Sequence, residues 1–189
     1  MERSIDDRTI LDKFVEDFVA VAEKHVNYII VSGFVAITHG RSRGTEDIDM
    51  IIDKIPYEKF FLLHNDLVDV GFKCLQSSKS EDIYDYLLRG DSIRYIRKDE
   101  FLPEMEIKFA KDELDGLQLA TKQKLPLSGL DVWFSSIEIN IAFKEELLKS
   151  DKDLKDAKHL RIVYEDKINE TLINDIKKMI RKLRMKNEK

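Results

Sequence analysis

The sequence predicts an α+β protein, a mixed β-sheet core flanked by helices and followed by an all-helical C-terminal part. Three observations carry this. Short apolar runs, Asn27–Val31, Asp47–Ile52 and Glu104–Phe109, have the length and β-branched content of strands. Between them lie segments whose apolar residues recur every three to four positions. From Ser135 onward only the helical pattern remains. The expected division is therefore a core with its N-terminal helix over 1–134 and a helical region over 135–189 packed on it.

Taken in order, Ile10, Leu11, Phe14, Val15, Phe18, Val21 and Ala22 mark an amphipathic helix from about Asp7 to Lys24. A strand at Asn27–Val31 precedes a short helix, Gly33–His39. A strand over Asp47–Ile52 ends before Pro56, and a helix over Tyr57–Val70 is stopped by Gly71. Phe72–Leu75 is expected as a strand. Ser80 is the expected cap of a helix that reaches Leu88 and ends at Gly90. Strands at Ser92–Arg97 and Glu104–Phe109 are joined by Lys98–Pro103. Leu117–Leu127 fits a strand or a loop, and Leu130–Phe134 a last short strand. Ser135 with Glu138 forms an expected capping box before Ile139–Leu148. Ser150 with Asp153 opens a helix over Asp151–Tyr164, and Ile168–Leu183 closes the series with a basic end.

Composition narrows the classes. At 189 residues and 43% hydrophobic, the chain can bury an ordinary core. A net charge of −5 argues against wholesale coating of nucleic acid, though not against a local basic patch. Cys74 is the one cysteine, so no internal disulfide or cysteine zinc cluster can form, and it is expected as a small core residue. No apolar run approaches the roughly 20 residues of a membrane span. MERSIDDRTI lacks the basic start of a signal peptide, so a cytoplasmic location with no membrane partner is expected.

The chemistry concentrates in YIIVSGFVAITHGRSRGTEDIDMIID, residues 28–53. A strand has a side-chain period of two, so Asp47 and Asp49 share one face while Ile48 and Met50 take the other. Adjacent carboxylates repel, and a hard divalent cation, Mg²⁺ or Mn²⁺, removes the conflict. The Ser32-Gly33 turn lets backbone N–H groups approach a phosphate at the start of a helix. Turn, helix, basic loop and D-x-D strand in this order suit metal-dependent phosphoryl or nucleotidyl transfer. The bland alternative is a tight turn followed by two exposed acids on an edge strand.

On these residues the chain resembles the nucleotidyltransferase superfamily, which has a Gly-Gly or Gly-Ser turn followed, after a helix, by Asp-x-Asp. VSGFVAITHGRSRGTEDIDMII is most similar to the small bacterial and archaeal proteins related to AbiEii-type toxins. Gly33, Ala36, His39, Gly40, Arg43, Thr45, Asp47 and Asp49 fall where that pattern wants them, while Ser32 replaces its first glycine. A second stretch, SSIEINIAFK followed by KDLKD, carries the resemblance to Ser135, Glu138, Ala142, Lys144, Lys152, Asp153 and Asp156.

The resemblance implies a polymerase-β-like core and transfer of a nucleoside monophosphate from an NTP to a hydroxyl of RNA, tRNA, protein or a small molecule. A toxin role with a cognate antitoxin belongs to the same implication. The superfamily usually adds a third carboxylate on the strand beside the D-x-D strand. Glu104, Glu106 and Lys108 share one strand face, and Glu106, nearer the centre, is the choice, with Glu104 as the fallback. Asp47, Asp49 and Glu106 would then hold metal, with Glu106 also able to act as general base. Ser32 and Gly33 would cradle the triphosphate. Arg43, more than Arg41, would stabilise the leaving pyrophosphate, and Lys144, with Lys152, would reach a phosphate. His39 is expected to tie down its helix end, and Asp153 and Asp156 to make structural salt bridges. His25, His64 and His159 receive no role. The basic end, Lys177–Lys189, is expected as a solvated helix end. The rival readings are a catalytically silent nucleotide- or partner-binding module and an interaction protein whose acids form a solvated edge.

Overall fold

The computed structural model describes residues 9–45 and 47–187, without the side chains of 186 and 187. Three strands form the centre of the sheet: β1 (Tyr28–Val31), β2 (Asp47–Ile52) and β5 (Glu104–Phe109). The strands β3 (Phe72–Cys74) and β4 (Ile93–Arg97) extend one edge, and β6 (Gln123–Lys124) and β7 (Trp133–Phe134) the other. The order is β3-β4-β5-β2-β1-β7-β6. β2 runs antiparallel to β1 and parallel to β5, and β7 runs parallel to β1. The mixed sheet of the sequence reading is what the chain forms.

Alternation gives the sheet two unlike faces. Tyr28, Ile30, Ile48, Met50, Ile52, Met105 and Ile107 are buried on the main core side. Above them pack α1 (Ile10–Ala22), α3 (Tyr57–Asp69) and α4 (Ser80–Leu88). Phe14, Phe18, Phe72 and Tyr95 meet edge to face there, with ring centroids 5.0–5.7 Å apart. The opposite face carries Ile29, Val31 and Ile51 under Leu119 of α5 (Glu113–Ala120), and beyond them Asp47, Asp49, Glu104 and Glu106. One apolar patch and one acidic patch therefore share a face, and α5 covers only the first.

The helices α2 (Gly33–Thr38), α6 (Ile137–Phe143), α7 (Asp151–Val163) and α8 (Glu170–Asn187) close the end of the molecule beside β1 and β7. Ile137, Ile139, Ile141, Leu160, Ile173, Ile176 and Ile180 join the same apolar cluster as the sheet. Ser150 caps α7 by accepting from the Asp153 N–H, and the Thr9–Asp12 capping box starts α1. The Asp7 start expected for α1 lies outside the described residues, as do the last two residues of the basic C-terminal end. No helix among the described residues is long and apolar enough to cross a membrane.

Five expectations need correction. Leu117–Leu127 is neither strand nor loop at its start: α5 ends only at Ala120, followed by the two-residue β6 and a 3-10 turn, Pro126–Ser128. Gly116 hides this helix, since glycine is a poor helix former. Asp112 nucleates it by accepting from Leu114 and Asp115 N–H groups, and packing supplies the rest. The cap of α6 is Ser136, not Ser135, which donates to Gln118 instead. Ser80 is the first residue of α4 rather than its cap and hydrogen-bonds Tyr57. The stretch Ile139–Leu148 is split: α6 ends at Phe143 and a π-helical turn, Lys144–Leu148, follows. Cys74 is only half-buried, at the sheet edge, with its Sγ on Gln76.

Candidate active site

The strand pairing makes the acidic cluster. Asp47 lies opposite Glu104, and Asp49 opposite Glu106, in the β2–β5 register. Period two then sends all four side chains to the same face. Asp47, Asp49 and Glu106 each offer a carboxylate oxygen within 4.8 Å of the others. Burial first, then the Asp47 and Glu106 charges, raises the Asp49 pKa, while a hydrogen bond from Ser32 and the charge of Lys108 pull it down. Three hard oxygen donors gathered against mutual repulsion are a donor set that fits Mg²⁺. Arg94, the cross-strand neighbour of Glu106 on β4, relieves part of the strain. Its Nη2 pairs with Glu106 and its Nε lies 3.3 Å from Glu104.

The Ser32-Gly33 turn abuts this cluster because β1 and β2 are paired, with Val31 opposite Asp49. Ser32 has φ +65 and ψ −132, a conformation that glycine adopts freely and serine at a cost. Gly33 makes room for a side chain: a Cβ there would lie 2.8 Å from an Arg43 guanidinium nitrogen, so a larger residue would push Arg43 aside. Arg43 is thus laid across the start of α2.

Behind the turn sits a buried charge cluster centred on Asp156, which has no exposed surface. Arg43 pairs with its Oδ2, and Lys144 Nζ donates to the same oxygen at 3.1 Å and to Asp153 at 3.4 Å. Arg41 Nε lies 3.3 Å from Asp156 Oδ1, yet neither atom makes an aligned hydrogen bond. Lys144 is 1% exposed, held by its two aspartates at the base of a cavity.

That cavity, about 360 Å³, runs from Ser32 and Asp49 past Lys144 to an apolar wall of Phe143, Leu147 and Leu183. A second, polar and more open cavity of about 590 Å³ lies on the Asp47 side, lined by Gly44, Thr45, Asp47, Arg94, Glu104 and Lys152. The acidic cluster stands between them. Thr45 donates to Asp47 at 3.0 Å, fixing the loop that leads into β2.

Around the site, His39 ties helices together. Its Nδ1 is 2.6 Å from the Val35 carbonyl, so that nitrogen donates, and Nε2 accepts from the Tyr164 hydroxyl at 2.7 Å. Burial pushes Tyr164 up to about 12, so it stays a donor. His159 Nε2 donates to the His39 carbonyl. Of the residues singled out from sequence, Asp47, Asp49, Glu106 and Ser32 come together in one group. Gly33, Arg43 and Lys144 join the adjoining cation cluster. Arg94 escaped the sequence reading because only the β4–β5 register puts it on Glu106. Leu114, Asp115 and Gln118 of α5, which also line the cavity beside Lys144, escaped with the helix itself.

No protein-family model matches the sequence, and no curated protein matches it either. Solved structures do match. The solution structure of the antibiotic-resistance factor ANT(2'')-Ia superposes with a TM-score of 0.58 at 13% identity, covering 94% of this chain and 95% of that one. A crystal structure of ANT(2'')-Ia in complex with adenylyl-2''-tobramycin gives 0.55 at 16% identity, with 92% and 98% covered. The chain has the nucleotidyltransferase fold. An antigenic nucleotidyltransferase-like protein from Paracoccidioides brasiliensis matches as well, with a TM-score of 0.52, 16% identity and 98% and 92% covered. Each alignment spans nearly both chains, so the nucleotidyltransferase fold here includes the C-terminal helices.

Proposed function

We propose that this protein is a Mg²⁺-dependent nucleotidyltransferase, and the observation that carries the reading is the convergence of Asp47, Asp49 and Glu106 beside the Ser32-Gly33 turn. Asp47, Asp49 and Glu106 would hold the metal, which supplies charge neutralisation at the reacting phosphate. Gly33, at the start of α2, offers its N–H to the triphosphate, with Arg43 and Lys144 alongside. An acceptor hydroxyl oxygen forms a bond to the α-phosphorus, and the α–β bridging P–O bond breaks. Pyrophosphate leaves with that electron pair, toward Arg43 and Lys144. The hydroxyl proton passes to the Glu106 carboxylate. The adenylyl-2''-tobramycin bound to a protein of the same fold is the kind of product such a step makes.

The likeness of the motifs to AbiEii-type toxins extends the reading to a growth-inhibiting role with a cognate antitoxin. Arrested growth on induced expression, absent from the Asp47→Ala/Asp49→Ala variant, checks that extension. One observation favours a second reading, a binding module without turnover: Arg94 occupies Glu106. Incubation with each α-³²P-labelled NTP, Mg²⁺ and cellular RNA, or with a panel of aminoglycosides, separates the two. Label transferred by wild type and lost in Asp47→Ala/Asp49→Ala supports the enzyme. Metal-dependent nucleotide binding with no transfer to any acceptor supports the module, and failure to bind any NTP overturns both.

A further inference from the structure

We infer that the cavity beside Lys144 selects a nucleobase bearing an exocyclic amino group, and that Asn140 reads that group. The inference rests on the nucleotidyl-transfer reading and narrows it from any NTP to those of adenine, cytosine or guanine. With the triphosphate against Gly33, Arg43 and Lys144, the space that adjoins it for the nucleoside is the rest of this cavity. Its volume, about 360 Å³, is near the lower end of small-ligand pockets.

One helix face lays out the parts. Asn140, Phe143, Lys144 and Leu147 follow at helical spacing along α6 and its π-helical continuation, and all four line the cavity. Lys144 serves the phosphates. Phe143 and Leu147, with Leu183 of α8, give an apolar wall for the flat face of a base. Asn140 lies beside that wall, where the edge of the base would fall.

Asn140 has a single atom to offer. It is 4% exposed, and its Nδ2 donates to the Ser135 and Ser136 carbonyls, both at 3.0 Å. Two carbonyls on one side fix the orientation of the amide and use both of its N–H bonds. Among the described residues, the side-chain atoms sealed from solvent without a partner are Arg41 Nε and Asp156 Oδ1. Asn140 Oδ1, which accepts no hydrogen bond there, therefore reaches open space. Holding the turn into α6 accounts for the nitrogen and leaves the oxygen to a ligand.

Its neighbours are of the same kind. Ser135 Oγ donates to Gln118 Oε1 at 3.0 Å, and Gln118 Nε2 donates to Asp115 at 3.3 Å. Asp115 is buried, lines the cavity, and pairs with no cation among the described residues. This line of side chains spends most of its donors on itself and keeps acceptors for the cavity. The matching ligand group is a donor, which an amino nitrogen supplies. Uracil O4 stands where cytosine has its N4 amino group, so it would set an acceptor against an acceptor and leave both unpaired.

The test is calorimetry on the full chain, with Ca²⁺ in place of Mg²⁺ so that no turnover is needed. Three pairs of triphosphates differ in the amino group: CTP and UTP, ATP and purine riboside triphosphate, GTP and ITP. The amino-bearing member is expected to bind about tenfold tighter or more in at least one pair, and that pair names the base. Asn140→Leu is expected to bring the ratio to within about twofold of one, while inorganic tripolyphosphate, which has no base, still binds. Asn140→Ser, able to donate to one carbonyl, takes its place if a melting curve shows Asn140→Leu unfolded. Ratios near one in all three pairs, or a ratio that survives the Asn140 variant, would overturn the inference. So would a loss confined to 2′-deoxy NTPs, which puts Asn140 on the ribose. NTP binding without discrimination sinks the base assignment alone, whereas no binding of any NTP sinks the parent reading.

Discussion

Two charge clusters meet at the Ser32-Gly33 turn, and they are unbalanced in opposite directions. Asp47, Asp49 and Glu106 gather three carboxylates against one arginine. On the other side, Arg41, Arg43 and Lys144 surround buried Asp156, with Asp153 in support. The first holds surplus negative charge and the second surplus positive charge. Neither imbalance helps a fold on its own, since like charges repel and buried ions lose hydration. On the proposed function the two are complementary to a cation bound to a polyphosphate, and that reading gives one reason for both imbalances.

Removing the acids should have the largest effect. Asp47→Ala/Asp49→Ala is expected to lower transfer at least about a thousandfold and to abolish the rise in Tm that Mg²⁺ gives wild type, read by labelled-NTP assay and thermal melting. The next effect belongs to the other cluster. Asp156→Ala leaves three cations around a buried gap and should cost about 3–5 kcal/mol, measured by urea unfolding, because Asp156 is fully buried. A stability loss under about 1 kcal/mol would mean that the cations find other partners, and the comparison would fail.

Gly33→Ala is expected to lose about tenfold in NTP affinity with a small loss in stability, because the added methyl meets the guanidinium end of the Arg43 side chain and no backbone. Isothermal titration calorimetry beside a melting curve gives the two numbers. A wholly structural Gly33 would reverse the proportions.

Ser32→Gly sharpens the acidic side. Glycine relieves the positive φ by about 1 kcal/mol, but the hydrogen bond that lowers the Asp49 pKa is lost. The pH at which Mg²⁺ binds should therefore move upward, since the metal needs Asp49 deprotonated. Asp49 also sets a stability trend. Its pKa is raised on folding, so the native apo protein binds the proton more tightly than the unfolded chain. Stability then falls as pH climbs from the ordinary aspartate value through the raised native one. At neutral pH Asp49→Asn should raise the apo Tm by roughly 2–4 °C per kcal/mol relieved, and Mg²⁺ should no longer add to it.

The two clusters were not equally legible in the sequence. The acids could be read because period-two alternation and strand length alone put Asp47 and Asp49 on one face and Glu106 on a like face of another strand. What pairs those strands is tertiary, so Arg94 on Glu106 could not be seen. The cation cluster was legible only through motif likeness: Lys144 and Asp156 lie on different elements from Arg43, and nothing local says they share one buried site. The Arg43 guanidinium over Gly33, 2.8 Å from a notional Cβ, explains that glycine in a way no turn rule could. Helix α5, which lines the cavity beside Lys144, was hidden by Gly116 and depends on packing of Leu114 and Leu119 for its stability. The overall α+β order survived because its strands and helices are strongly patterned.

The central claim is that the two clusters are halves of one metal–polyphosphate site, and calorimetry on the full chain tests it most directly. Each NTP, or its non-hydrolysable α,β-methylene analogue, is titrated with and without Mg²⁺, into wild type, Asp47→Ala/Asp49→Ala and Lys144→Met. The account expects Mg²⁺ to tighten nucleotide binding at least tenfold in wild type, and that coupling to vanish in the double variant. In Lys144→Met, affinity should fall while the coupling to metal persists. Nucleotide binding that is indifferent to Mg²⁺, or unchanged in the double variant, would contradict it.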